Sequence, residues 1–240
     1  MTSLEAARQA LHQLSDPARA RVQRGFFKNS ADDIFLGVPA ASARKIANGF
    51  AHLSLADIRR LMQSAVHDER SLANEILCRQ FQKAAEAGQK KIFDFYIRNR
   101  RLIRDWDAVD GSAPYIVGPW LLERDKTLLY ELARSARLWD RRIAIVSTWW
   151  FIRKGHLADT FALAEILLHD PEDLIQKATG WMLREAGKKD PCALERFLRR
   201  HHASMPRTTL RYAIERFPPE KRQRYLRGRA AITRSLSAEP

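Results

Sequence analysis

The chain has 240 residues, of which 42 are Lys or Arg and 28 are Asp or Glu, giving a formal net charge of +14. A surplus of that size calls for an acidic partner, nucleic acid first and acidic membrane surface second. No run of about 18 apolar residues is present to span a bilayer, and the opening MTSLEAARQALHQL lacks the apolar core of an export signal, so a cytoplasmic protein with no membrane role is expected.

Glycine and proline are scarce, and apolar residues recur mostly at three- and four-residue spacing, which is the signature of helices. The pattern predicts helices over residues 3–15, 17–25, 40–50, 55–64, 69–84, 88–100, 105–118, 125–137, 139–153, 157–168, 172–187, 190–200, 206–216 and 219–227. The stretch from Asn29 to Gly37 is the longest irregular one before the end, and residues 228–240 read as a flexible tail to a single repeat domain over 1–227. Short connections make successive helices antiparallel neighbours. Helix starts at Asp68, Asp105, Trp139 and Pro171 are separated by 37, 34 and 32 residues. Helix pairs at that period fit a HEAT-like stack. The expected fold is therefore all-α, a right-handed α-solenoid of HEAT-like antiparallel helix pairs with a concave basic groove wide enough for a nucleic-acid duplex.

Cys78 and Cys192 match no zinc, iron–sulfur or redox spacing, and read as two buried or half-buried thiols in a reducing compartment. His201 and His202 are adjacent and so point to different sides of a helix. There is no glycine-rich phosphate loop and no nucleophile elbow. No metal and no cofactor are expected.

Three segments stand out. In helix 172–187, Ile175, Ala178, Thr179, Met182 and Ala186 share one side as the core stripe. Trp181 instead keeps company with Lys177, Arg184 and Lys188. It is either a boundary residue packing on the next helix or an aromatic on a basic groove, with the cations on phosphates. Arg142 falls between Val146 and Trp149 on a largely apolar face, where a guanidinium needs either a carboxylate or a phosphate. Arg141, beside it, reads as a solvated charge. In Asp105-Trp106-Asp107-Ala108-Val109-Asp110, Asp105 suits an N-cap. Trp106 and Asp110 share a face at four-residue spacing. Trp106 as core and Asp110 as an arginine partner is one account. The other notes that a carboxylate facing DNA repels phosphate, and is better explained by positive charge developing there in a reaction.

These segments resemble the AlkD-type family of bacterial alkylpurine DNA glycosylases: WDAVD at 106–110, the W-x-x-R of Trp139 to Arg142, and IQKATGWMLRE at 175–185. FFKN at 26–29 and FLGVPAASARKIA at 35–47 are also similar, so the likeness runs from about residue 20 to 217. The resemblance implies HEAT-like repeats around duplex DNA and hydrolysis of the N-glycosidic bond of N3- or N7-alkylated purines. It makes Asp110 the catalytic carboxylate, with Trp106 and Trp181 lining the deoxyribose of the lesion and Arg142 on the DNA backbone. Lys177, Arg184 and Lys188 would add phosphate contacts. Phe26 stands where the family often has tyrosine, keeping a stacking surface without the hydroxyl. The implied enzyme is a monofunctional glycosylase, a monomer is the default expectation, and a non-catalytic HEAT-like module binding damaged or branched DNA is the alternative. An alkylated purine already carries a positive charge and leaves without protonation. One carboxylate between electron-rich rings then suffices to stabilise an oxocarbenium-like sugar and to position water.

Overall fold

The computed structural model describes residues 3–27 and 32–236, with side chains as far as 227. Lys28 and Asn29 of the FFKN stretch lie outside the described residues. Among those described there are fourteen α-helices. They are α1 (Ser3–His12), α2 (Pro17–Arg24), α3 (Ala40–Gly49), α4 (Leu55–Met62), α5 (His67–Lys83), α6 (Glu86–Asn99), α7 (Trp106–Leu121), α8 (Thr127–Ala133), α9 (Leu138–Arg153), α10 (Ala158–Ile166), α11 (Asp173–Lys189), α12 (Pro191–His201), α13 (Arg207–Ala213) and α14 (Pro219–Leu236). One 3-10 turn, Arg100–Leu102, precedes α7, and the sole β-type pairing among the described residues is the single bridge between Ile34 and Val66. The four anticipated repeat starts each fall within two residues of an observed helix start. The last helix runs beyond residue 227 to Leu236. No described helix is long and apolar enough to cross a membrane.

The chain divides into two compact units, residues 1–120 and 121–240. In the first, α3 and α4 pack on α5, α5 packs on α6, and α1 touches both α3 and α5. In the second, α9, α11 and α13 form one row, with α8 and α10 against α9 and α12 against α11. This is the helix-pair packing of a repeat protein.

Local chemistry explains many of the boundaries. Asp16 accepts from the amides of Ala18 and Arg19 at 2.9 and 3.2 Å, with Pro17 at the first helical position of α2. Ser54 caps α4 through Asp57 N, and Asp190 caps α12 through Ala193 N ahead of Pro191. Gly37 has φ +76°, and a Cβ there would come within 2.4 Å of Ala20 N and Asp16 O. Only glycine allows the 32–39 loop to lie on the start of α2. In α11, a Cβ at Gly180 would come within 2.5 Å of Tyr212 Cβ and 2.6 Å of Thr209 O. The glycine inside that motif therefore sets how closely α11 meets α13.

The start of α5 departs from what periodicity alone suggests. His67, Asp68, Glu69 and Arg70 are four consecutive polar residues and all are buried. Each serves a different neighbour. Glu69 holds Arg8 and His12 of α1, both at 3.0 Å. Asp68 accepts from the amides of Leu36 and Val38 at 2.8 and 3.0 Å. Arg70 binds Asp33 and Asp105 at 2.8 and 2.9 Å, and His67 meets Asp107 at 3.1 Å. A helix end thus ties α1, the 32–39 loop and the start of α7 together by charge.

Candidate active site and nucleic-acid interface

In the first unit the site is built on the opening turns of α7. Trp106 is its first residue and Asp110 follows one turn later; both are half-buried. Asp105 directs its carboxylate to Arg70 at 2.9 and 3.2 Å, while Asp107 accepts from Ala108 N at 2.8 Å. Pro114 has no amide hydrogen to complete the helical bond back to residue 110, so the α7 backbone lacks one rung just past Asp110. The indole of Trp106 lies on the ring of Phe27, with centroids 5.3 Å apart and planes 16° apart, and its N–H donates to the carbonyl of Phe26 at 3.3 Å. Phe26 itself projects outward, 67% exposed. Phe27, His67 and Phe35 form a cluster of mutual ring contacts, with His67 4.6 Å from Phe27 and 4.8 Å from Phe35, and the two phenylalanines 5.3 Å apart. A cavity of about 210 Å³ opens beside these turns, with Gln23, Arg44, Asn74, Asp107 and Gly111 among its walls.

In the second unit the predicted core stripe of α11 is fully buried: Ile175, Ala178, Thr179, Met182 and Ala186 are each at most 1% exposed. Trp181 is half-buried on the other flank, as expected of a boundary or contact aromatic. The cations beside it are engaged with acids. Lys177 binds Asp173 at 2.6 Å, and that hydrogen bond holds its ammonium above the ordinary lysine range, against the opposing charge of Arg142. Arg184 contacts Glu185 and Glu215, and Lys188 binds Glu185 at 2.7 Å. Arg142 is buried at 5% exposure and donates to the carbonyl of Leu174 at the entrance to α11. Arg141 corrects the sequence reading: it is not a solvated charge but is bound to buried Asp170 at 2.6 Å and to the carbonyls of Ser135 and Ala136. An open cavity of about 460 Å³ beside α11 and α13 has Lys177, Arg211 and Arg222 on its walls together with Asp173 and Glu215.

The sequence matches the family described as DNA alkylation repair enzyme over residues 7–217. The chain belongs to that family. Its fold is similar to a solved structure described as a predicted DNA alkylation repair enzyme from Enterococcus faecalis, with a TM-score of 0.69 and 17% identity, covering 85% of this chain and 97% of that one. No curated protein matches the chain. As a DNA alkylation repair family member the protein has DNA as its substrate, which accounts for the net charge of +14.

Several residues near this family member's α7 were not singled out as site residues by the sequence reading. Phe27 and Phe35 lie in the FFKN and FLGVPAASARKIA stretches that carry the resemblance, and only Phe27 stacks on Trp106. For His67 and Arg70 the available signal was the polar run His67-Asp68-Glu69-Arg70 at a helix start. His67, Asp105 and Asp107 bring donor atoms within 4.8 Å of one another. The set does not suit a metal ion, because the Arg70 guanidinium already occupies Asp105 and would repel a second cation. Of the two thiols, Cys78 is buried and burial pushes it well above the usual thiol range, whereas Cys192 is exposed rather than buried or half-buried.

Proposed function

We propose that the protein is a monofunctional DNA glycosylase that hydrolyses the N-glycosidic bond of N3- and N7-alkylated purines in duplex DNA, without metal or cofactor and as a monomer. The observation that carries this reading is the opening of α7 in a chain of this family. There a tryptophan held by stacking and by its N–H precedes, by one helical turn, a half-buried carboxylate in an otherwise strongly basic protein. A binder alone gains nothing from placing Asp110 against a polyanion. A glycosylase gains a fixed negative charge where the departing cationic base leaves an oxocarbenium-like sugar. Asp110 stabilises that charge and positions the attacking water, while Trp106 presents a π-face to the deoxyribose; Trp181 is the aromatic the second unit offers to the DNA. Phe26, exposed and carried by the same backbone that holds Trp106, offers a flat surface to the duplex.

Phosphate contacts fall to Lys177, Arg142, Arg184 and Lys188. The Lys177–Asp173 pair lies at the surface, and pairs of that kind are worth only about 0–1 kcal/mol, so a phosphate readily takes the place of the carboxylate; Lys188 is itself exposed although its partner Glu185 is half-buried. Arg142, tied to the carbonyl of Leu174, contributes through a fixed guanidinium beside Lys177.

The deciding experiment is single-turnover release of 7-methylguanine and 3-methyladenine from methylated duplex DNA by the wild type and Asp110→Asn. The expected result is release by the wild type only, with Asp110→Asn binding duplex as tightly or slightly more tightly. No release by either protein, with DNA still bound, identifies a non-catalytic binding module instead.

A further inference from the structure

The catalytic reading leaves a second carboxylate unexplained: Asp107, on the same opening turns as Asp110 and three residues before it, so that the two side chains are helical neighbours. Its partner is His67, which is 1% exposed and whose Nε2 approaches the Asp107 carboxylate at 3.1 Å. The imidazole is enclosed on every side. Phe35 stacks on the imidazole and Phe27 packs against it at a tilt, the two phenylalanines also touching each other, and the Gln23 amide lies 3.4 Å from Nδ1. Arg70 and Asp68 flank it on its own helix, Asp105 and Asp107 face it from α7, and Arg24 sits beyond the Phe35 ring.

Arg70 and Arg104 pair with Asp33 and Asp105 through contacts of 2.8–3.0 Å. His67 and Asp107 form a further pair. With the imidazole protonated their charges offset one another. With it neutral, the opening of α7 is one unit more negative.

We propose that His67 is a positioning residue that, as an imidazolium, neutralises Asp107 and anchors the first turn of α7, so that loss of its proton weakens duplex binding and base excision. The inference rests on the glycosylase reading for its catalytic half; the binding half stands on the His67–Asp107 pair itself. The ring stack supplies the mechanical link, because Phe27 touches both His67 and Trp106. Burial on its own lowers the imidazole pKa, but the hydrogen bond and charge of Asp107, helped by Asp105, outweigh it and leave the pKa above the ordinary histidine value. The switch therefore lies on the alkaline side of 6.5.

The test measures the Kd for an undamaged duplex by fluorescence anisotropy at constant ionic strength from pH 6 to pH 9, alongside NMR titration of the His67 ring and single-turnover base release. The variants are His67→Gln, Asp107→Asn and the double variant. In the wild type the Kd is expected to rise about 3- to 10-fold as His67 loses its proton. Asp107→Asn should abolish that transition and stay at the tight limit. His67→Gln should stay at the weak limit, and the double variant should recover the tight one because the charge balance is restored. A double variant as weak as His67→Gln would mean that His67 acts only through packing, and would overturn the proposal. So would a Kd that stays flat while the His67 ring titrates. If base release were absent at every pH the glycosylase reading would fall, whereas the Kd transition and its loss in Asp107→Asn would still support the assignment of His67.

Discussion

Replacing Arg70 by methionine tests whether charge holds the start of α7 in place. The guanidinium is 2% exposed and makes five hydrogen bonds. Two go to Asp105, one to Asp33 and two to the carbonyls of Ser64 and Ala65. Methionine keeps most of the side-chain volume, so the cost is electrostatic rather than a cavity. Asp33 retains Arg104 at 3.0 Å, but Asp105, 7% exposed, loses both of its arginine contacts. Removing one member of a buried ion pair typically costs about 3–5 kcal/mol. The lower end applies here because Arg104 still balances one of the two carboxylates. For a chain of this size that corresponds to a fall in Tm of roughly 6–12 °C. Adding Asp105→Asn to Arg70→Met removes the orphaned charge and should restore about half of the loss. The assay is urea unfolding followed by tryptophan fluorescence at pH 7 for the wild type, both single variants and the double variant. A loss below about 1 kcal/mol for Arg70→Met, or no recovery in the double variant, would refute the argument that Asp105 is balanced by Arg70.

Three further outcomes follow from the geometry. Gly180→Ala forces a Cβ to within 2.6 Å of the α13 backbone and should cost about 1–3 kcal/mol, measured by chemical denaturation; an unchanged midpoint would show that α13 can slide away. Lys177→Ala should weaken damaged and undamaged duplexes alike and reduce the slope of log K against log salt by about 1, read from a salt titration of the binding constant. Stability should also depend on pH through His67. Its raised pKa means that the Asp107 pair stabilises the fold fully below 6.5 and that the contribution disappears as pH rises through the folded-state value. The difference in urea midpoint between the wild type and His67→Gln should therefore shrink from pH 6 to pH 9.

Much of this molecule was legible in its residues because helices are local. The side of α11 that packs inward follows from the spacing of Ile175, Ala178, Met182 and Ala186, and all four are buried. The starts of α5, α7, α9 and α11 fall within two residues of those anticipated from the sequence pattern, and the Trp106–Asp110 pairing on one face follows from helical geometry. What periodicity could not show is which charges leave water. Arg141 looked solvated and is held by Asp170, 29 residues away; Arg70 finds Asp105 at a separation of 35 and Asp33 at 37. His67 would pass for an ordinary helix-start residue, yet it packs against two phenylalanine rings and against a carboxylate 40 residues on. A charge is buried or exposed according to whether a partner from another helix arrives to offset its desolvation, and that arrival is a property of the packed structure. The residue types and their phase along each helix were thus set by the sequence, while the electrostatic balance at the start of α7 was decided only when α5, the 32–39 loop and α7 came together.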